Sequence, residues 1–238
     1  MDLSAGGRPP GIVALDRPAW PDAERLVEAL GDEVLFYKVG LELFTGEGPG
    51  VVHELVGRGK RVFLDLKLHD IPNTVAGAAR AAGRLGASLL TVHAAGVAAM
   101  VRAAVDAAAE ASAGRTRVLA VTVLTSLAEG RLPASFPADR PVANLVEALA
   151  AEALTAAAEG LVCSGAEVGG LRRRHGEAPL LVVPGTRPAG AGAQDQARVV
   201  TPGAALEAGA NWLVVGRAVT DAPDPRAAWR AYWQEVGA

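Results

Sequence analysis

The chain has 238 residues, of which 50% are hydrophobic and 21% are charged, and its formal net charge is -3. The length fits one α/β barrel or two small domains. The net charge argues against general nucleic-acid binding. No apolar run approaches the roughly 18 to 20 residues that a membrane-spanning helix needs. The single cysteine, Cys163, excludes an internal disulfide framework and a multi-thiolate zinc site, and it favours a reducing compartment.

The first ten residues are polar and rich in glycine and proline, without the basic and apolar regions of a signal peptide. We expect residues 1–10 to be a flexible tail and residues 11–238 to form one catalytic domain. The expected location is the cytoplasm.

Short apolar runs rich in β-branched residues recur along the chain, and their length suits strands buried on both faces. They span residues 11–15, 34–39, 62–68, 88–92, 118–124, 160–163, 180–183 and 212–215. Stretches with helical spacing lie between them, for example 23–30, 51–58, 74–85 and 98–111. Eight βα units in one unbroken alternation predict a single (β/α)8 TIM barrel rather than a doubly wound sheet.

The active sites of such barrels lie where strands end and βα loops begin. Polar residues occupy these positions along the whole chain: Asp16, Lys38, Asp65 with Lys67, His93, Thr125, Ser164, Arg187 and Arg217. We therefore expect a functional site at this end of the barrel.

Lysine is rare, because only three of the 23 basic residues are lysines. Lys38 and Lys67 lie inside apolar strands, where a charged side chain indicates a chemical role. Lys60 lies in a glycine-rich turn and is expected to be a solvated surface charge.

The third strand carries the highest density of charge. Period-two alternation in residues 62–68 places Asp65 and Lys67 on the lumen face, with their Cα atoms roughly 6 to 7 Å apart. Lys38 is expected at the same height on the neighbouring strand. Asp70 follows just before a helix that Asn73 or Thr74 would cap.

Two ammonium and two carboxylate groups would then alternate in a partly dry site and keep one another ionised. The alternative is a salt-bridge network that seals the barrel end. Such a network is a costly source of stability, because desolvation cancels much of the attraction between buried charges.

The segment FLDLKLHDIPNT, residues 63–74, resembles the signature of the bacterial-type orotidine 5'-phosphate decarboxylases, with its DxKxxD core. Barrel enzymes that act on sugar phosphates share this core, but its combination with Lys38, the Gly-Thr-Arg-Pro segment at 185–188 and Gly216-Arg217 is highly specific. The resemblance covers about residues 11–234. Two residues depart from the pattern: Thr186, where the family usually has an apolar residue, and Val97, which ends a segment that often reads as glycines.

The resemblance implies a carboxy-lyase that converts orotidine 5'-phosphate to uridine 5'-phosphate and CO2 in pyrimidine biosynthesis, with no cofactor and no metal ion. Lys67 would stabilise and then protonate the C6 carbanion, with Asp65, Asp70 and Lys38 as the other catalytic residues. A homodimer is implied, in which Asp70, Ile71 and Thr74 complete the neighbouring site.

Substrate contacts are implied along the same end of the barrel. Asp16, Lys38 and Thr125 would bind the ribose and Ser126 the pyrimidine edge, and Thr74 would reach over from the partner. A connection as long as 184–200 is usually a lid or a disordered segment, and we expect a lid here. Its Arg187 and Gln196, together with Gly216 and Arg217, would hold the phosphate.

Two other functions stay open at this point. A magnesium-dependent decarboxylase or aldolase of sugar phosphates would typically carry an acidic residue where this chain has Lys38. A catalytically silent barrel would bind a nucleotide and regulate a partner protein.

His93 is as readily a structural histidine as a contact residue, and Trp229, Tyr232 and Trp233 are expected to pack the last helix.

Overall fold

In the part of the chain that the structure describes, eight parallel strands close into a barrel in their order along the sequence. The computed structural model describes residues 9–127, 129–130, 132, 136, 140–187, 200–234 and 236. The strands are β1 (Gly11–Ala14), β2 (Phe36–Gly40), β3 (Arg61–Leu68), β4 (Leu89–His93), β5 (Arg117–Val121), β6 (Gly160–Val162), β7 (Leu180–Pro184) and β8 (Trp212–Val215). Pairing of β1 with β8 closes the sheet, so the predicted TIM barrel is confirmed.

Helices connect the strands and cover the outside of the barrel. They are α1 (Trp20–Leu30), α2 (Leu41–Glu47), α3 (Gly50–Gly57), α4 (Pro72–Leu85), α5 (Val97–Ser112), α6 (Val142–Thr155), α7 (Gly165–His175), α8 (Pro202–Glu207), α9 (Arg217–Thr220) and α10 (Pro225–Gln234). Trp229, Tyr232 and Trp233 are buried on α10, as predicted. Throughout the described residues, each helix is too short or too polar to cross a membrane.

The strands alternate between two apolar layers. On β1, for example, Ile12 and Ala14 point into the lumen, whereas Val13 packs against the helices. The lumen layer comprises Ile12, Ala14, Phe36, Phe63, Leu89, Leu119, Val121, Val162, Val182, Trp212 and Val214. At its lower end the Arg61 guanidinium lies 4.7 Å from the Phe36 ring and 4.9 Å from the Trp212 ring. The lumen is a packed core, so a ligand can enter only above it.

Two predicted boundaries are wrong. Strand β5 ends at Val121, and the apolar residues up to Leu124 leave the sheet in a turn in which Leu127 N–H donates to the Leu124 carbonyl at 2.9 Å. Helix α4 begins at Pro72, so its N-cap is Ile71, which makes no side-chain cap, rather than Asn73 or Thr74. Proline is pre-organised for the first helical position, and it determines this start.

The prediction for Lys60 is also wrong. The residue is only 8% exposed. Its ammonium donates to the Gly31 carbonyl at 2.7 Å and the Val34 carbonyl at 3.1 Å, and it lies 3.4 Å from the Asp32 carboxylate. A cation is favourable at the carboxyl end of a helix, and Lys60 supplies one just after α1.

Candidate active site

A cavity of about 530 Å³ lies at the carboxyl ends of the strands. Its floor includes the lumen residues Ala14, Phe63, Val162 and Val214. Around it stand nine of the predicted site residues: Asp16, Lys38, Asp65, Lys67, Thr125, Ser126, Arg187, Gly216 and Arg217. The volume lies in the range of sites for small molecules.

Lys67 and Asp65 form an ion pair in this cavity. The Lys67 Nζ atom lies 2.8 Å from Asp65 Oδ2, and the side chains are 30% and 11% exposed, respectively. The carboxylate is therefore nearly dry, whereas the ammonium reaches the open space of the cavity. A cation held in this way can stabilise negative charge that develops on a bound molecule.

The backbone at Lys67 departs from the strict alternation predicted for the third strand. The register between β3 and β4 shifts between Leu64 and Leu68, and Lys67 has a φ of 48°. The left-handed region is uncommon for a residue other than glycine, and such strain persists only where the surrounding structure holds it. Both Asp65 and Lys67 still face the cavity.

Lys38 and Asp16 form a second ion pair, with Nζ and Oδ1 2.7 Å apart. Lys38 pairs in register with Phe63, and Gly40 pairs with Asp65, so Lys38 lies lower than the expected height. A Cβ atom at Gly40 would come within 2.9 Å of the Lys38 Nζ and 3.1 Å of the Asp16 Oδ1. Glycine at this position leaves space for the pair.

Asp70 lies apart from the two ion pairs. It is exposed, and its Oδ1 accepts a hydrogen bond from the Ile71 N–H at 2.6 Å. Among the described residues, neither Asp70, Ile71 nor Thr74 lines the cavity of its own chain. The expected array of two lysines with Asp65 and Asp70 is therefore incomplete in one chain, and Lys38 is paired with Asp16 instead.

The opposite wall is basic. Arg187 follows β7, is only 8% exposed, and donates through Nη1 to the Thr186 carbonyl at 3.2 Å. The left-handed φ of 77° at Gly185 makes the turn that brings the arginine to the cavity. Gly216 and the exposed Arg217 enter from the end of β8. Gln196 lies outside the described residues.

Thr186 and Val97, the two residues that depart from the family pattern, differ in their local environments. Thr186 is buried, and its hydroxyl lies 2.5 Å from the Tyr232 hydroxyl, so the polar side chain has a partner. Val97 has a φ of 60° and is 58% exposed. A β-branched residue is strained in that conformation, whereas a glycine would not be.

Two residues beside the site were not predicted from the sequence. Arg17 lines the cavity, and its Nη2 donates to the Asp221 Oδ1 at 2.9 Å and to the Thr220 carbonyl, which ties the β1 loop to the end of α9. Arg17 directly follows the predicted site residue Asp16, and this position in the sequence could have indicated it. The second residue is Thr91, a hydroxyl inside the apolar strand β4 that contacts Asp65.

His69 and His93 lie close to each other, and neither lines the cavity. The His93 Nδ1 is buried without a hydrogen-bond partner in the described part of the chain, and its ring centroid lies 5.4 Å from that of His69. Burial, with smaller contributions from His69 and Lys67, lowers the pKa of His93, so the ring is neutral at pH 7. Over the described residues, no three His, Cys, Asp or Glu side chains come together in a group that could hold a metal ion.

Comparison with known proteins finds the same family along nearly the whole chain. The model of the orotidine 5'-phosphate decarboxylase / HUMPS family matches residues 9–232. The orotidine 5'-phosphate decarboxylase of Anaeromyxobacter dehalogenans is 57% identical over 92% of this chain and 94% of its own. That of Moorella thermoacetica is 48% identical over 94% and 91%. The crystal structure of the Lactobacillus acidophilus enzyme superposes with a TM-score of 0.84 at 40% identity, covering 96% and 99% of the two chains.

Proposed function

The chain belongs to the orotidine 5'-phosphate decarboxylase / HUMPS family, and from this premise we propose that its charged side chains decarboxylate orotidine 5'-phosphate without a metal ion. The family assignment makes it a carboxy-lyase of pyrimidine biosynthesis. The observation that carries the proposed mechanism is the Lys67–Asp65 ion pair, which joins a nearly dry carboxylate to an ammonium group open to the cavity.

The chemical problem is the electron pair left on C6. When the bond between C6 and the carboxylate carbon breaks, CO2 leaves and the pair stays in the plane of the pyrimidine ring, where the π-system cannot delocalise it. The Lys67 ammonium stabilises this charge and then gives its proton to C6, which yields uridine 5'-phosphate and a neutral amine that regains a proton from water. Asp65 keeps the ammonium charged and oriented.

The Lys38–Asp16 pair is suited to the ribose hydroxyls. Its carboxylate is 60% exposed and can accept hydrogen bonds, while the ammonium beside it can donate them. Thr125, also at the cavity wall, adds a ribose contact, and Ser126 a contact to the pyrimidine edge.

The phosphate group belongs at the basic wall. Arg187 and Arg217 offer planar guanidinium groups, and Gly216 adds a backbone N–H. Gln196 is proposed to join them from the 184–200 connection. Phosphate binding there supplies remote binding energy that can be used at C6.

We further propose a cytoplasmic homodimer in which each chain completes the site of the other. The support is the exposure of Asp70, of the N-cap residue Ile71 at 65% and of the first turn of α4, beside a cavity that has only part of the expected charge array. The partner's copy of this turn would then bring Asp70, Ile71 and Thr74 over the substrate.

The test follows the absorbance of orotidine 5'-phosphate with the purified chain, with and without EDTA. We expect equal rates in both conditions and uridine 5'-phosphate as the product. Turnover that EDTA abolishes would contradict the metal-free mechanism and favour chemistry of the magnesium-dependent sugar-phosphate type. Tight binding of uridine 5'-phosphate without turnover would identify a silent barrel.

Arg187 provides a prediction about the phosphate. Arg187→Ala is expected to lower kcat/KM for orotidine 5'-phosphate by roughly 10- to 100-fold, the loss of a charge-assisted contact. Orotidine, which has no phosphate, should react almost equally well with both enzymes. Initial rates of the two enzymes on the two substrates measure this, with Arg173→Ala on the exposed face of α7 as the matched control. Equal losses of kcat/KM on both substrates would show that Arg187 does not bind the phosphate.

A further inference from the structure

A buried hydroxyl connects the two members of the central ion pair. Thr91 is 0% exposed and lies on β4 between Leu90 and Val92, which pack outward against the helices. Its Oγ1 accepts a hydrogen bond from the Lys67 backbone N–H at 2.9 Å. The same oxygen donates to Asp65 Oδ1 at 2.9 Å.

The direction of these bonds is determined by the groups involved. A backbone N–H can only donate, so the one proton of the Thr91 hydroxyl is free to point at Asp65. Asp65 then accepts on both oxygens, on Oδ1 from the hydroxyl and on Oδ2 from the Lys67 ammonium at 2.8 Å. The three hydrogen bonds form a closed ring in which both oxygens of Asp65 are acceptors.

Thr91 also lies opposite the bulge in β3. Leu64 pairs with Leu90 and Leu68 pairs with Val92, so residues 65–67 face the single residue Thr91. The Lys67 N–H therefore bonds to a side chain, and this bond holds a residue whose φ is 48°. A backbone strained in this way needs such external support to persist.

We propose that Thr91 is a positioning residue that holds the Asp65 carboxylate and the left-handed Lys67 backbone in the geometry used for catalysis. The inference rests on the proposed function, in which these two residues do the chemistry. Thr91 itself lies beneath them and does not line the cavity among the described residues.

The test is the pair Thr91→Ser and Thr91→Ala, which lose the same methyl group and differ only by the hydroxyl oxygen. We expect Thr91→Ser to stay within about threefold of the wild-type kcat, and Thr91→Ala to lose about 10- to 100-fold in kcat. KM and the dissociation constant of uridine 5'-phosphate should change little in both variants. Hydrogen exchange at the Lys67 amide should be slow in wild type and in Thr91→Ser, and fast in Thr91→Ala.

Three outcomes would overturn the proposal. Equal kcat in the two variants would show that the hydroxyl is dispensable, and a rise in KM that accounts for the whole loss would place Thr91 in binding. If Thr91→Ala does not fold, Thr91→Val replaces it, and failure of both to fold would make the hydroxyl a requirement of the barrel itself. The exchange measurement needs no substrate, so it tests Thr91 even if the wild-type chain fails to decarboxylate orotidine 5'-phosphate.

Discussion

Replacing Lys67 with alanine is expected to lower kcat for orotidine 5'-phosphate by about 10⁴-fold or more, since one side chain supplies both the stabilising charge and the proton. Binding of uridine 5'-phosphate should be largely kept, because the product carries no charge at C6 and its ribose and phosphate contacts remain. Single-turnover rates and product titration measure the two effects separately.

The variant also leaves Asp65 without its ammonium partner, so its fold must be checked. The Asp65 side chain is 11% exposed and keeps the hydrogen bond from Thr91, and water can enter the open cavity at the truncated side chain. We therefore expect a folded protein by thermal melting. Loss of a general acid should lower kcat far more than tenfold. A folded variant that retains more than about a tenth of the wild-type kcat would therefore show that Lys67 is not the proton donor.

The barrel could be predicted because its strands must be apolar on both faces. Each of the eight runs is long enough to form a strand and separated by helical spacing, so the order and closure follow from the alternation. The run up to Leu124 shows the limit: apolar residues continue past Val121 into a loop in which Val123 is buried and Leu124 is exposed, and composition does not mark where pairing stops.

The positions of the charged residues were less predictable than their identities. Strand periodicity places Asp65 and Lys67 on one face, but the bulge opposite Thr91 depends on contacts between strands that the local pattern does not contain. The prediction that Lys60 is exposed was wrong for a similar reason. Its ammonium is surrounded by backbone carbonyls at the end of α1, about thirty residues earlier in the chain.

Asp70 raises a different question, because its predicted partner is in a second chain. If the site is shared, a dimer of one Lys67→Ala chain and one Asp70→Ala chain contains one site with both wild-type residues and one site with neither. Each variant alone should be nearly inactive. Random mixing of equal amounts would place about one quarter of all sites in the wild-type combination, so we expect about one quarter of wild-type activity after subunit exchange.

A matched hybrid makes the result unambiguous. Wild-type chains paired with chains that carry both Lys67→Ala and Asp70→Ala have the same total composition, with two wild-type and two mutated positions in each dimer. If Asp70 acts across the interface, every site in this second hybrid lacks one residue and the dimer is inactive, whereas the first hybrid has one working site. If Asp70 acts within its own chain, the activities reverse. Two different affinity tags allow each hybrid to be purified, and a working second hybrid beside an inactive first one would show that Asp70 serves its own chain's site.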